Sequence, residues 1–202
     1  MEAIMHHPVR LALILFAGLA LGAAAPAPVL PIGPADMALG RADAPVTVIE
    51  YGSLTCPHCA AFDQSLFPRL KAEYIDSGKI RYVFRDFPRD RVDLQAFQLA
   101  HCEHGRVFWP LIEMLFQNQP AWLRAKDTRA ALIPFGRQAG LSEPATRACL
   151  ADQSLATTSA ASAEAGSKAG VEFTPTFFVN GQKIALWSYE DWQKSLKEAG
   201  VR

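Results

Sequence analysis

Residues 50–62 read EYGSLTCPHCAAF, and the tetrapeptide Cys56-Pro57-His58-Cys59 inside them decides how the rest of the chain is read. Upstream, Val46 to Tyr51 (VTVIEY) is a β-branched run between Pro45 and Gly52, the pattern of a buried strand. Downstream, Phe62, Leu66, Leu70 and Tyr74 recur every fourth residue. That spacing predicts a helix from about Pro57, kinked at Pro68 and closed by Gly78. Ile80 to Phe87 (IRYVFRDF), stopped by Pro88, predicts a second strand. A strand, helix, strand unit of this kind is expected to pair its strands in parallel through a right-handed crossover.

Two cysteines three positions apart at the start of a helix sit on adjacent turns. Their Cα atoms are then about 5–6 Å apart, within reach of a disulfide. Cys56 precedes the helix, so unpaired amides and the positive end of the helix dipole point at its sulfur. A thiolate is stabilised there and its pKa falls. Pro57 fits the first turn, where its missing N–H has no helical partner. His58 can add a donor or a positive charge. Stabilising the thiolate stabilises the dithiol, which makes the disulfide a stronger oxidant and Cys56 a better leaving group. Two other readings stand beside this one. The pair could be half of a zinc site, although Cys102 and Cys149 stand alone and the neighbouring His101 and His104 read as a helix surface pair. It could also be a plain structural disulfide. The position of the motif between a strand and a helix favours redox chemistry.

Glu50 interrupts the apolar run VTVIEY six residues before Cys56. A buried carboxylate is costly unless it has a partner or a task. It is read either as a proton acceptor and donor for Cys59 or as a strand-end residue that reaches solvent.

From Asp90 to about Gly170 the pattern turns helical. Leu94, Phe97 and His101-Cys102 share a face, and Phe108 to Phe116 is a second apolar stretch. Asp127 reads as the cap of a third helix ending at Gly140, and Ser142 with Pro144 opens a fourth. Ser154 to Gly170, rich in Ala and Ser, reads as a small-residue helix, with a linker as the alternative. Thr176 to Val179 and Gln182 to Ile184 read as a hairpin turned at Asn180-Gly181. Tyr189 to Ala199 predicts a last helix, capped at Gly200.

The ends and the composition bound what the chain does. Met1 to Arg10 is basic, Leu11 to Leu21 is an apolar run of eleven, and Gly22 to Ala25 are small. This is the make-up of a cleaved signal peptide over residues 1–25, with an uncleaved N-terminal membrane anchor as the alternative. No cysteine follows the run, so a lipoprotein anchor is excluded. Residues 26–43 are expected as a flexible leader. The mature chain is then periplasmic or secreted, where disulfides persist. Across 202 residues, 20 basic side chains balance 20 acidic ones, which argues against nucleic-acid binding by bulk charge.

EYGSLTCPHCAAF, the later FTPTFFVNG (173–181) and the helical block between them resemble the bacterial DsbA-like thiol-disulfide oxidoreductases, from about Pro45 to Gly200. The resemblance implies an α/β fold: a thioredoxin-like domain over 44–89 and 170–202, with a helical domain inserted over 90–169. It implies a catalytic pair Cys56 and Cys59, tuned by Pro57 and His58. It also implies a cis Thr174-Pro175 bond facing them, in a loop where Phe173, Thr174 and Pro175 meet an extended substrate. Leu54, Phe173 and the Phe87-Pro88 corner are candidates for an apolar rim, with plain core as the alternative. The best-studied relatives often carry Val before the cis proline, so Thr174 leaves the oxidising strength open. Cys102 and Cys149, 47 positions apart, are expected to form a second disulfide, as in some relatives. Two buried free thiols are the alternative.

The implied activity is donation of the Cys56–Cys59 disulfide to reduced, unfolded secreted proteins through a mixed disulfide at Cys56. A DsbB-type membrane reoxidase would be the second partner. No bound cofactor, no metal and no nucleic acid are expected, and the mature form is expected to be a soluble monomer. A reductase or isomerase with the same site, and a metal carrier on the same scaffold, are the competing functions.

Overall fold

The structure is a computed structural model that describes residues 30–33, 36–185 and 188–202. The signal peptide expected at 1–25 lies outside the described residues, as do positions 26–29 and 34–35 of the leader. Strand β1 is Met37–Leu39 and β2 is Val46–Gly52. Helix α1 (Pro57–Ser65), the short α2 (Phe67–Leu70) and a wider-turned segment Lys71–Ile75 lead to β3 (Ile80–Asp86). Then come α3 (Arg91–Ala100), α4 (Cys102–Gly105), α5 (Phe108–Gln117) and α6 (Gln119–Leu123). They are followed by α7 (Thr128–Gln138), α8 (Glu143–Ala151) and α9 (Gln153–Lys168). The hairpin β4 (Thr176–Val179) and β5 (Gln182–Ile184) and helix α10 (Tyr189–Glu198) end the chain.

The five strands form one sheet in the order β1-β3-β2-β4-β5. β2 and β3 are parallel, with Val46 beside Ile80 and Gly52 beside Asp86. The other pairings are antiparallel. Asn180 and Gly181 both have positive φ (48° and 81°), the geometry that a two-residue hairpin turn demands.

Alternation along β2 divides the core. Val46 and Val48 pack with Phe62, Leu70, Tyr82, Phe177, Trp192 and Leu196 on the side of α1 and α10. Ile49 and Tyr51 pack with Val83, Val171 and Phe178 on the other side, against α9. α9 explains its own composition. A Cβ at Gly166 would collide with the Tyr51 ring, so only small residues let this helix lie close to the sheet. The linker alternative for this stretch therefore falls away. A third cluster fills the helical region and includes Leu54, Cys56, Cys59, Phe97, Phe108, Leu115 and Trp122. The Cys pair sits at the seam between that cluster and the sheet.

The leader reading is corrected in part. Residues 37–39 are not free chain: they pair with Tyr82, Val83 and Phe84 of β3. Asp36 adds an ion pair with Arg85 at 2.7 Å. The pairing covers what would otherwise be an open sheet edge at β3. No helix among the described residues is long and apolar enough to cross a membrane.

Candidate active site

The chain leaves β2 at Gly52 and reaches α1 through Ser53, Leu54 and Thr55. Cys56 is the N-cap residue, extended at φ −82° and ψ 121°, with Pro57 in the first turn. Both Cys56 and Cys59 carry free thiols. Cys56 is only 2 % exposed and Cys59 is fully buried. Packing against the helical cluster and the Thr174 loop covers Cys56. The Cys56 thiol donates to the Thr174 carbonyl at 3.2 Å, and the Thr174–Pro175 peptide is cis. Pro57 and His58 are exposed beside it.

The two sulfurs are pushed in opposite directions. Cys56 is pulled from the ordinary thiol range down to about 5, first by the hydrogen bond from the Cys59 thiol. The Thr174 side chain and the amides of Cys59 and His58 add to this, and burial opposes it. These amides are the second and third of the helix, unpaired in its first turn. Cys59 is pushed well above the ordinary thiol range, first by burial and then by its bond to Cys56.

Glu50 does not reach solvent. It is 3 % exposed, on the face of β2 that meets Tyr82, and the Tyr82 hydroxyl donates to its Oε2. Its Oε1 has no hydrogen-bond partner among the described residues. Burial pushes its carboxyl up to about 8, and negative charge at Cys56 adds to the rise. Its own charge in turn raises Cys59.

Phe173, two residues before Pro175, is 59 % exposed, with the Lys183 ammonium 5.5 Å from its ring centre. The other rim candidates behave differently. Phe87 packs edge-on against Tyr51 and is half-buried, as is Pro88. Leu54 is fully buried, which selects the core reading: its backbone is tied on both sides, which turns the side chain into the helical cluster. Cys102 and Cys149 are joined as a disulfide. His101 does not turn toward the Cys pair; its Nε2 lies 2.7 Å from Asp86 Oδ2, which also accepts the Ser159 hydroxyl at 2.6 Å.

Two site residues escaped the sequence reading. Asp93 of α3 is fully buried and accepts from the Leu54 amide at 2.8 Å and the Ser53 hydroxyl at 2.6 Å. It also accepts from the Arg89 amide at 3.0 Å. Burial lifts its carboxyl to about 6 despite these bonds. Gln119 of α6 donates to the Leu54 and Cys56 carbonyls at 2.7 and 3.0 Å. An acidic residue just inside the helical region that opens at Asp90 was the only available signal for Asp93, and nothing marked Gln119.

Comparison with known proteins agrees with this geometry. A family model described as thioredoxin matches residues 33–198. A Rickettsia prowazekii protein, named as a candidate protein-disulfide oxidoreductase, is 36% identical over 166 residues. That match takes in 81% of this chain but 61% of the relative, so the chain spans under two thirds of that relative's length. Disulfide bond formation protein D of Bacillus subtilis is 26% identical over 79% of this chain and 75% of its own. The crystal structure of alpha-DsbA1 from Wolbachia pipientis superposes with a TM-score of 0.77 at 28% identity, covering 84% of this chain and 93% of that one. BdbD from Bacillus subtilis, at 24% identity and a TM-score of 0.73, shares the fold. The sheet with its helical block between β3 and β4 is thus a thioredoxin-like fold with a helical insertion.

Proposed function

The chain belongs to the thioredoxin family, and on that premise we propose that it is an extracytoplasmic thiol-disulfide oxidoreductase that oxidises newly secreted proteins. The observation that carries the proposal is the opposite tuning of two adjacent sulfurs. One is an acidic thiol at a helix N-terminus; the other is a buried thiol beside a carboxyl that holds its proton near neutral pH.

The reaction starts from the Cys56–Cys59 disulfide. A substrate thiolate attacks Cys56 Sγ, the Cys56–Cys59 bond breaks, and Cys59 leaves with the electron pair. The protonated Glu50 carboxyl supplies the proton that Cys59 takes up, and water restores it. A second substrate thiolate attacks the substrate sulfur of the mixed disulfide. Cys56 then leaves as a thiolate, which its low pKa makes a good leaving group. The substrate has lost two electrons and two protons. Cys59 holds one proton and the other goes to solvent. Phe173, exposed beside the cis proline, supplies an apolar contact for an unfolded chain. A membrane reoxidase of the DsbB type would take the electron pair and restore the disulfide.

Equilibration with glutathione tests the direction of the chemistry. A couple well above thioredoxin's potential of about −270 mV is expected of an oxidase. A thioredoxin-like potential, together with rapid insulin reduction, would assign the site to a reductase instead. Tight metal retention by the free dithiol would point to a carrier.

A further inference from the structure

Residues 53–56 deliver Cys56 to the start of α1, yet few of their polar groups are held by the sheet or by α1. Leu54 is the clearest case: its N–H goes to Asp93 of α3 at 2.8 Å and its C=O to Gln119 of α6 at 2.7 Å. Ser53 and Thr55 hydroxyls also turn to Asp93, at 2.6 and 3.3 Å. The second proton of the Gln119 amide goes to the Cys56 carbonyl at 3.0 Å, the same oxygen that accepts the Ala60 amide at 3.2 Å to begin α1. Gln119 is 7 % exposed, so water does not readily replace it.

We infer that Gln119 is a positioning residue of the redox site: from the helical insertion, it fixes the Leu54 and Cys56 carbonyls and so the place of the Cys56 sulfur against the first amides of α1. With Pro57 in the first turn, one of the early amides is missing, and the sulfur depends on those of His58 and Cys59. Hydrogen bonds to sulfur weaken steeply with angle, so a small rotation at Cys56 loses both. Asp93 holds the same loop from its other side and limits how it relaxes. The inference rests on reading Cys56 as the exchanging thiolate.

The test is Gln119→Met, which keeps the volume and removes both donors. Thiolate absorbance is titrated in a Cys59→Ser background, and glutathione equilibration is measured with Cys59 intact. The Cys56 pKa is expected to rise by about one unit and the equilibrium to move about tenfold toward the disulfide, since one unit is a factor of ten. Leu132→Ala, a buried apolar truncation in α7 that removes no hydrogen bond to the loop, controls for a general loss of stability. Gln119→Met that melts cooperatively but titrates and equilibrates like its parent overturns the inference and leaves the oxidoreductase reading intact. So does Leu132→Ala that shifts both readouts equally. A parent Cys56 that ionises like a free thiol overturns both readings. Should Gln119→Met fail to fold, Gln119→Asn, one methylene shorter and able to reach one carbonyl at most, is expected to give a smaller shift in the same direction. An unchanged titration in that variant also overturns the inference.

Discussion

The molecule holds two cysteine pairs in the same hydrophobic cluster, and the proposed function gives the chemistry to only one of them. Cys56, Cys59 and Cys102 are all buried to within 2 %. The difference lies in what each sulfur faces. Cys56 meets helix amides, a thiol and the Thr174 side chain, all of which favour its anion. Cys102 has the Ala145 carbonyl at 4.0 Å, an acceptor that offers an anion nothing. Burial alone therefore does not make a cysteine redox-active; the donors around it do. Sequence separation divides the pairs as well. Cys56 and Cys59 close almost no loop, whereas Cys102–Cys149 spans 47 positions and restrains the unfolded chain.

The bluntest way to break this contrast is to remove one sulfur from each pair. Cys56→Ser should lower the rate of oxidation of a reduced dithiol peptide by about three orders of magnitude or more, because without that sulfur no Cys56–Cys59 disulfide is left to donate. A fall of less than tenfold would erase the distinction between the pairs.

Cys102→Ala with Cys149→Ala should instead cost about 4 kcal/mol of stability on the loop-entropy model, given the separation of 47. Guanidinium unfolding measures that loss, and oxidase turnover of the folded protein should stay within about threefold, as expected for sites without shared partners.

Glu50→Gln sharpens the comparison within the active pair. Loss of a proton donor should slow release of Cys59 by about a hundredfold. In the parent this rate should fall as pH rises through about 8, where Glu50 loses its proton, and the step should vanish in the variant. Stability follows the same group. Its folded value lies above the usual 4.5, so folding loses stability as pH rises from there through about 8. Glu50→Gln should flatten that decline in thermal melts.

Cys56 works in the opposite sense. Its folded value, about 5, lies below the ordinary 9.0. The stabilisation of the reduced form over the disulfide form should be complete above the ordinary value and fade as pH falls through about 5. Melting reduced and oxidised protein side by side across that window measures it.

The smallest effect is expected at the rim. Phe173→Ser should raise KM for an unfolded substrate about fivefold through lost apolar contact, with kcat unchanged. A larger change in kcat than in KM would assign Phe173 a role in the chemistry.

Much of the site was legible because its logic is local. The CPHC spacing, the strand before it and the helix after it place a sulfur at a helix start whatever the rest of the chain does. Asn180-Gly181 after the apolar run Thr176 to Val179 marked the hairpin turn for the same reason. Met37–Leu39 was missed because three residues carry too little pattern to mark a strand; their order comes from the β3 edge they cover. Leu54 stayed open between rim and core because an apolar residue beside the CPHC motif looks alike in both.

What the sequence determined by itself is chemistry held within a few residues: the dithiol, its helix and its strands; the role of the proline far downstream came only with the family resemblance. The tertiary structure alone decided that Glu50 is buried rather than at a solvent-reaching strand end, that Cys102 meets Cys149, and that Asp93 and Gln119 grip the loop from 39 and 65 positions away from Leu54. Hydrogen bonds between distant side chains and backbone leave no periodicity in a sequence. They exist only once packing has brought the two segments together and excluded the water that would otherwise compete.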